Sequence, residues 1–205
     1  MRTTAEKPSI RLVWEQAGTD LDLATIQGIW TQEMYLRLTD QSNHLIEFTD
    51  GVIEVLSMPT RRHQVILLFL YDLIKLFMMR QGKVLVAPMR MQIRPGKYRE
   101  PDLLLLLDMH DLRNQEAFWL GADLVVEVVS PADPERDTVL KRADYAEARI
   151  PEYWIVNPLD ETITVLTLAD DGQYAEYGTF HRGERATSRL IAGLTVSADE
   201  VFDAQ

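Results

Sequence analysis

Two short runs of this chain are apolar at consecutive positions, which is typical of strands that are buried on both faces of a sheet. Five leucines occupy 103–107, and the segment 122–130 reads Ala-Asp-Leu-Val-Val-Glu-Val-Val-Ser. We predict that both runs are central strands. Successive side chains of a strand point to opposite faces, so the second strand has one face with Leu124, Val126 and Val128 and another with Val125, Glu127 and Val129.

Apolar residues at helical spacing predict three helical regions. Asp22–Leu38 is expected to form one or two short helices, and a long helix is expected from about 60 to 80 with Thr60 as its cap. A third helix is expected from about 135 to 149. Together with strands at 84–87, 89–93 and 151–156, this order predicts an α/β fold whose central mixed β-sheet is flanked by helices.

Asp-Gly pairs divide two other segments into hairpins, because both residues tolerate a positive φ. Asp50-Gly51 separates strands at 44–48 and 52–56, and Asp171-Gly172 separates strands at 161–168 and 173–177. The fold is therefore expected to carry added β-hairpins at both ends. We also expect a loop at 94–99 and a last short strand pair near 188–191.

The length and composition are those of an ordinary globular protein. The chain has 205 residues, of which 46% are hydrophobic and 26% are charged. We expect an N-terminal tail over 1–19 and a single domain over 20–205. The absence of cysteine excludes disulfides and thiolate metal sites, and it is compatible with a reducing compartment.

Two observations argue against secretion and membrane insertion. The N-terminus lacks the apolar core of a signal peptide. The most apolar helix candidate, 64–79, is interrupted by Asp72 and Lys75 and is too short to span a bilayer. We therefore expect a cytoplasmic protein that does not contact a membrane.

The formal net charge of −11 argues against a general polyanion binder. The charge is uneven, because residues 61–99 contain nine basic residues and one acid and so carry +8, which leaves −19 for the rest of the chain. This segment is either an ordinary solvated surface or a local surface that faces phosphate groups. In the second case the DNA-binding residues are Arg61, Arg62, Arg90, Arg94, Lys97 and Arg99.

Glu127 needs a specific explanation, because an ionised carboxylate on a buried strand costs several kcal/mol unless a cation or donors compensate it. Asp102 directly precedes the leucine run. Two carboxylates that converge from neighbouring strands form an oxygen site for Mg²⁺ or Mn²⁺, which would offset the cost. The alternative is that Asp102 caps a turn after Pro101 while Glu127 pairs with an arginine in the core. The spacing alone leaves both interpretations open.

Several motifs of this chain occur together in one protein family. They are Pro101-Asp102, Asp123-Leu-Val-Val-Glu127-Val-Val-Ser130-Pro131, Lys141 with Tyr145, and Glu152-Tyr-Trp-Ile-Val156, with Glu47, Asp50-Gly51 and His63 upstream. In this combination, over about residues 20–170, the chain resembles the Uma-type ("Uma-two") family of putative restriction endonucleases, a branch of the PD-(D/E)XK nuclease superfamily. The resemblance implies a restriction-endonuclease-like fold and metal-dependent hydrolysis of phosphodiester bonds.

The resemblance also implies roles for individual residues. In the superfamily an Asp and a Glu bind the metal, and Asp102 and Glu127 match them. A lysine two residues after the Glu orients or activates the attacking water, but that position is Val129 here. In the Uma-type branch the lysine lies on the following helix, where Lys141 matches it. The backbone carbonyl of Val128 is implied as a further metal ligand.

Helical spacing gives Lys141 a different role. The apolar stripe of the third predicted helix consists of Val139, Ala143, Ala146 and Ile150. Lys141 lies off this stripe, so the alternative is a solvated lysine that pairs with Asp137 four residues earlier.

Three residues are accessory candidates for the same site: Glu47, His63 and Tyr145. A lone histidine near a helix start is more often a capping or packing residue, and packing is the alternative role for Tyr145. The family resemblance implies Mg²⁺ or Mn²⁺ as cofactor, double-stranded DNA as substrate and a homodimer as the assembly.

Two other functions fit the same residues. One is a non-catalytic module with the nuclease fold that binds nucleic acid or protein, which the acidity and the absence of a reading domain favour. The other is a metal-dependent hydrolase with another phosphate substrate, such as RNA or a nucleotide.

Overall fold

The computed structural model describes residues 11–14, 19–22, 26–79 and 81–205, with side chains described from residue 26 onward. Residues 1–10 and 15–18 of the predicted tail, 23–25 of the first predicted helix and Arg80 of the basic segment lie outside the described residues. The strands, in chain order, are β1 (Arg11–Trp14), β2 (Thr19–Asp22), β3 (Ile46–Thr49), β4 (Val52–Val55), β5 (Lys83–Val86), β6 (Met91–Arg94), β7 (Lys97–Arg99), β8 (Leu103–Leu106), β9 (Leu124–Val128), β10 (Glu152–Asn157), β11 (Thr162–Leu168), β12 (Tyr174–Phe180), β13 (Arg185–Thr187) and β14 (Thr195–Ser197). The helices are α1 (Gln32–Thr39), α2 (Arg61–Met78), a π-helix (Arg136–Leu140), α3 (Lys141–Glu147) and α4 (Ala198–Asp203).

Six strands form the central sheet, in the order β12-β11-β10-β9-β8-β5. Strands β9 and β10 are parallel, and the other neighbours are antiparallel. Parallel neighbours need a crossover connection, which the π-helix and α3 supply. The two consecutive apolar runs are the interior strands β8 and β9, so the predicted α/β fold with a central mixed sheet is confirmed.

The central sheet has an apolar core on each of its faces. On one face, Leu124, Val126 and Val128 pack with α2 and α4. On the other face, Val125 and Val129 pack with residues of α3, among others. Every residue of β9 is buried, which confirms the predicted faces and leaves Glu127 on the side of α3.

A second, four-stranded sheet has the order β4-β3-β7-β6. The predicted turn joins β3 to β4, with Asp50 at φ 45° and Gly51 at φ 91°. A Cβ atom at position 51 would lie 2.7 Å from the carbonyl oxygen of Gly28, so this turn requires glycine. The prediction of a loop over 94–99 is wrong, because β7 forms within this segment and Tyr98 pairs with the distant Phe48 of β3.

The long helix begins where the sequence predicts. Thr60 caps α2, because its side-chain oxygen accepts a hydrogen bond from the main-chain N–H of His63 at 3.2 Å. The last strand pair, β13 with β14, lies on either side of the position expected near 188–191. The hairpin of β1 and β2 was not predicted; β1 lies in the region predicted as a tail, and β2 begins at its last residue. Among the described helices, none has the length and apolar character to span a membrane.

Candidate active site

Strand pairing brings Asp102 and Glu127 together. Leu103 of β8 lies opposite Val126 of the antiparallel β9, so the residue before Leu103 comes opposite the residue after Val126. The main-chain N–H of Asp102 donates to Oε2 of Glu127 at 3.4 Å. Oδ2 of Asp102 accepts a hydrogen bond from the main-chain N–H of Val128 at 2.8 Å. Both carboxylates therefore lie at one end of the β8–β9 pair.

Glu127 is fully buried, and both of its oxygens have partners. Nζ of Lys141, at the start of α3, lies 2.8 Å from Oε2. The hydroxyl of Tyr145, one turn further along α3, donates to Oε1. The alternative in which Glu127 pairs with a core arginine is therefore wrong, because its cation is a lysine.

Lys141 is 5% exposed, so the interpretation as a solvated lysine is wrong. Its predicted pairing with Asp137 does occur at 3.1 Å, in addition to the contact with Glu127. The predicted apolar stripe fails at its start, since Val139 is 60% exposed and Ala143 is also exposed. Periodicity identifies a buried face by its apolar residues, whereas the buried face here carries paired polar groups.

His63 approaches Asp102 from the other side of the site. It lies in the first turn of α2, and its Nε2 is 2.9 Å from Oδ2 of Asp102. Its Nδ1 is buried and has no hydrogen-bond partner among the described residues. No described residue donates a hydrogen bond to Oδ1 of Asp102, and the Asp102 side chain is 15% exposed. Asp102 therefore offers the site a carboxylate oxygen that is free to take another partner.

The two carboxylates differ in their affinity for protons. Burial raises the pKa of Glu127 well above its usual range, and the nearby charges of Asp102 and Asp137 add to this effect against the attraction of Lys141. Burial also acts to raise the pKa of Asp102. The hydrogen bond and charge of His63, with the charge of Lys141, outweigh that effect and lower the pKa. The site therefore disfavours the ionised form of Glu127 and favours the ionised form of Asp102.

Lys141 stays protonated despite its burial. Burial acts to lower the pKa of its ammonium group, but the charges of Glu127 and Asp137 outweigh it and raise the pKa above its usual range. A lysine of this kind supplies a fixed positive charge at neutral pH rather than a proton acceptor.

Glu47 does not contact Asp102, Glu127 or Lys141 directly. It lies on β3, is 1% exposed, and accepts from the guanidinium of Arg136 in the π-helix. Nε of Arg99 lies 3.4 Å from the same carboxylate oxygen. Arg136 also pairs with Glu54 of β4 at 2.8 Å. Ion pairs therefore link the four-stranded sheet to the helical segment that carries Lys141, and no sequence pattern pointed to Arg136.

Most of the basic residues predicted to bind DNA have acidic partners. Arg90 pairs with Asp40, Arg94 with Asp50 and Glu147, Lys97 with Asp144 and Glu147, and Arg99 with Asp144 and Glu47. The guanidinium of Arg62 donates to the carbonyl oxygens of Phe202 and Ala204. Arg61 is exposed and has no ion pair within the described residues. The carboxylates outside segment 61–99 thus neutralise much of its positive charge.

The donor set of the site suits a hard cation such as Mg²⁺ or Mn²⁺, which prefers carboxylate, carbonyl and water oxygens. No group of three or more His, Asp or Glu side chains that could hold a metal ion occurs among the described residues. Magnesium, however, is usually bound by one or two carboxylates, with water and substrate phosphate completing its shell. The free oxygen of Asp102 fits such an ion, and a cation beside Glu127 would stabilise the ionised form that burial disfavours.

Comparison with known proteins gives one family and one fold. The family Uma2, described as "Putative restriction endonuclease", matches residues 32–199. A crystal structure of a putative nuclease belonging to DUF820 from Anabaena variabilis is similar with a TM-score of 0.66 and 16% sequence identity, over 82% of this chain and 96% of that one. At this identity the similarity shows the fold alone. None of the curated proteins matches the sequence.

Proposed function

The chain belongs to the Uma2 family of putative restriction endonucleases, and from that premise we propose that it is a Mg²⁺- or Mn²⁺-dependent endonuclease that hydrolyses phosphodiester bonds of double-stranded DNA. The observation that carries this proposal is the convergence of Asp102, Glu127 and Lys141. Oε2 of Glu127 lies 3.4 Å from the main-chain nitrogen of Asp102 and 2.8 Å from Nζ of Lys141, which supports a site that contains all three residues.

Asp102 and Glu127 are the residues that would hold the cation, with the carbonyl of Val128 as a further proposed ligand. The bound ion supplies polarisation of a phosphate oxygen and a lower pKa for a coordinated water. Asp102 presents Oδ1, because His63 and the N–H of Val128 occupy Oδ2. Tyr145 and Lys141 hold the two oxygens of Glu127 and fix the orientation of its carboxylate.

Lys141 contributes a permanent positive charge next to the carboxylates. The developing negative charge of a phosphoryl transition state is stabilised by a cation held in position before the reaction begins. The ammonium group would also donate a hydrogen bond to the attacking water and orient it towards the phosphorus. His63 holds Asp102 in place, which makes it an accessory residue in this mechanism.

We propose that Arg61 provides the first contact with the DNA backbone. It opens α2 two residues before His63 and is exposed, so it can reach a phosphate next to the carboxylates. Arg62, Arg90, Arg94, Lys97 and Arg99 would have to exchange their present partners to bind DNA. We further propose that the enzyme acts as a homodimer, which would place one site on each strand.

Plasmid cleavage tests the proposed function. Supercoiled DNA is incubated with the protein and Mg²⁺ or Mn²⁺, and nicked and linear products are quantified with and without EDTA. Asp102→Asn and Glu127→Gln should each lower the rate by more than about 100-fold, since each removes one of two proposed cation ligands. Matched controls are Asp108→Asn and Glu116→Gln, which change exposed acids outside the site.

Three results would contradict the proposal, in whole or in part. Cleavage that survives either site variant would remove the assigned site. A folded wild-type protein that neither cleaves DNA nor binds Mn²⁺ in a calorimetric titration would instead indicate a non-catalytic module with the nuclease fold. Cleavage of RNA or of nucleotides in place of DNA would retain the site and replace the substrate.

A further inference from the structure

A second buried acid lies beside the site and has no part in the mechanism above. Asp137 is 4% exposed and belongs to the π-helix, in which the main-chain N–H of Lys141 donates to the carbonyl of Arg136 five residues earlier. Such wide turns are rare and occur often at functional sites. An acid buried at this position needs compensation, and its contacts show where the compensation comes from.

Asp137 is held by three separate segments of the chain. Its Oδ1 lies 3.1 Å from Nζ of Lys141, and its Oδ2 accepts from the main-chain N–H of Ser130 at 3.3 Å. Its main-chain carbonyl accepts from the hydroxyl of Tyr153 at 2.6 Å. The residue therefore has a fixed position relative to the end of β9 and to β10, the two strands that flank it.

Lys141 needs such a fixed partner because its other acceptor is shared. Glu127 also accepts from Tyr145 and from the N–H of Asp102, and in the proposed enzyme it binds a cation as well. A cation on Glu127 would repel the ammonium group, and the flexible four-carbon stem of a lysine would allow that group to move away. The carboxylate of Asp137 attracts the ammonium group from a point outside the pair of proposed ligands.

We propose that Asp137 is a positioning residue that holds Nζ of Lys141 beside Glu127 during phosphodiester hydrolysis. The proposal rests on the proposed function, because it assumes that Lys141 acts in the reaction.

The test compares Asp137→Asn with Glu135→Gln. Both substitutions remove one negative charge from the same turn, but Glu135 is exposed and its side chain makes no cap hydrogen bond. Asp137→Asn should lower the cleavage rate at saturating DNA by about 10- to 100-fold and leave the KM for DNA within about twofold, since Asp137 does not touch the substrate. Glu135→Gln should cleave at the wild-type rate.

A double-mutant comparison shows whether the effect passes through Lys141. In a Lys141→Ala background, Asp137→Asn should cause no further loss. The proposal is overturned if Asp137→Asn slows the Lys141→Ala enzyme as much as it slows the wild type, or if it leaves the wild-type rate unchanged. If Asp137→Asn does not fold, Asp137→Glu replaces it. This variant keeps the charge but moves it by one methylene, so it should cleave more slowly at an unchanged KM, and a wild-type rate overturns the proposal.

A chemical readout separates this proposal from the proposed function. Acetylation of lysines by acetic anhydride, followed by mass spectrometry, reports whether Nζ of Lys141 is held in place even in a protein that cleaves nothing. Asp137→Asn should raise the acetylation rate of Lys141 several-fold over both the wild type and Glu135→Gln, while the exposed Lys75 stays unchanged. Equal acetylation of Lys141 in all three proteins would overturn the positioning role.

Discussion

Nζ of Lys141 lies 2.8 Å from Oε2 of Glu127, and neither side chain is more than 6% exposed. The two residues come from a helix and from the central strand of the sheet, so the contact joins two layers of the fold. A buried pair of this kind is weak support for overall stability, but removing one member leaves the other without compensation. This asymmetry gives the first prediction.

Lys141→Met should destabilise the protein at pH 8 by about 3–5 kcal/mol, because it leaves Glu127 buried without its cation. The double variant Lys141→Met/Glu127→Gln should recover part of that loss, since Glu127 no longer carries a charge while Asp137 still lacks its cation. Urea unfolding in the presence of EDTA measures both. The control is Lys75→Met at an exposed position, for which we expect a change within about 0.5 kcal/mol. A double variant as unstable as the single one would show that the loss comes from packing.

Glu100 makes the stability depend on pH. Burial, followed by the charge of Glu47, raises the pKa of Glu100 to about 8. A carboxyl group with a raised pKa binds its proton more tightly in the folded state. The stabilisation that Glu100 gives the folded protein is therefore fully present below its unfolded pKa of about 4.3, and it is lost as the pH rises to about 8.

Glu100→Gln removes this titration and keeps an oxygen that can accept from the main-chain N–H of Ile46, now at 3.0 Å. The free energy of unfolding should fall between pH 5 and pH 8 in the wild type and fall less in the variant. Urea unfolding at several pH values, in EDTA, gives both curves. Curves that run parallel over this range would contradict the prediction.

Arg61 should contribute more to DNA binding than Arg94. Arg61 is exposed and without an ion pair among the described residues, whereas Arg94 already pairs with Asp50 and Glu147. Arg61→Ala should weaken binding of a labelled duplex and lower the slope of log affinity against log salt by about 1. Arg94→Ala should stay within about twofold of the wild type. Fluorescence anisotropy in Ca²⁺ at three salt concentrations measures both, and a larger loss from Arg94→Ala would reverse the assignment.

Glu152 has a structural role that the family motif does not reveal. This fully buried carboxylate accepts four hydrogen bonds of 2.7 Å, from the indole of Trp154, the hydroxyl of Ser188 and the main-chain N–H groups of Arg189 and Leu190. Glu152→Ala leaves these donors without a partner and should cost more than about 3 kcal/mol. Urea unfolding beside the exposed control Glu176→Ala measures this cost. A loss below about 1 kcal/mol would show that water replaces the carboxylate.

Periodicity was sufficient to predict the strands at the centre of the protein. The consecutive apolar residues of β8 and β9 identified buried strands, and alternation assigned Glu127 to the correct face. The turn at Asp50-Gly51 was equally predictable, because few residues tolerate its dihedral angles. In each case the signal lies within a few consecutive residues.

The parts that failed depend on partners far away in the sequence. Helical spacing alone left Lys141 in solvent, because a hydrophobic pattern cannot anticipate that a buried helix face consists of paired charges. Strand β7 was missed because it is completed by β3. The ion pairs of the basic segment were not predicted, because its acidic partners, such as Asp144, lie outside it.

The contact between Glu47 and Arg136 spans 89 positions of the sequence, and this separation has a consequence during synthesis on the ribosome. The N-terminal residues of a nascent chain emerge first, so Glu47 and Glu54 are exposed to water well before Arg136 has been made. Arg99, which also contacts Glu47, becomes available earlier. Glu47 can therefore pair with Arg99 first. Its ion pair with Arg136 forms later, when the helical segment that carries Lys141 packs against the four-stranded sheet.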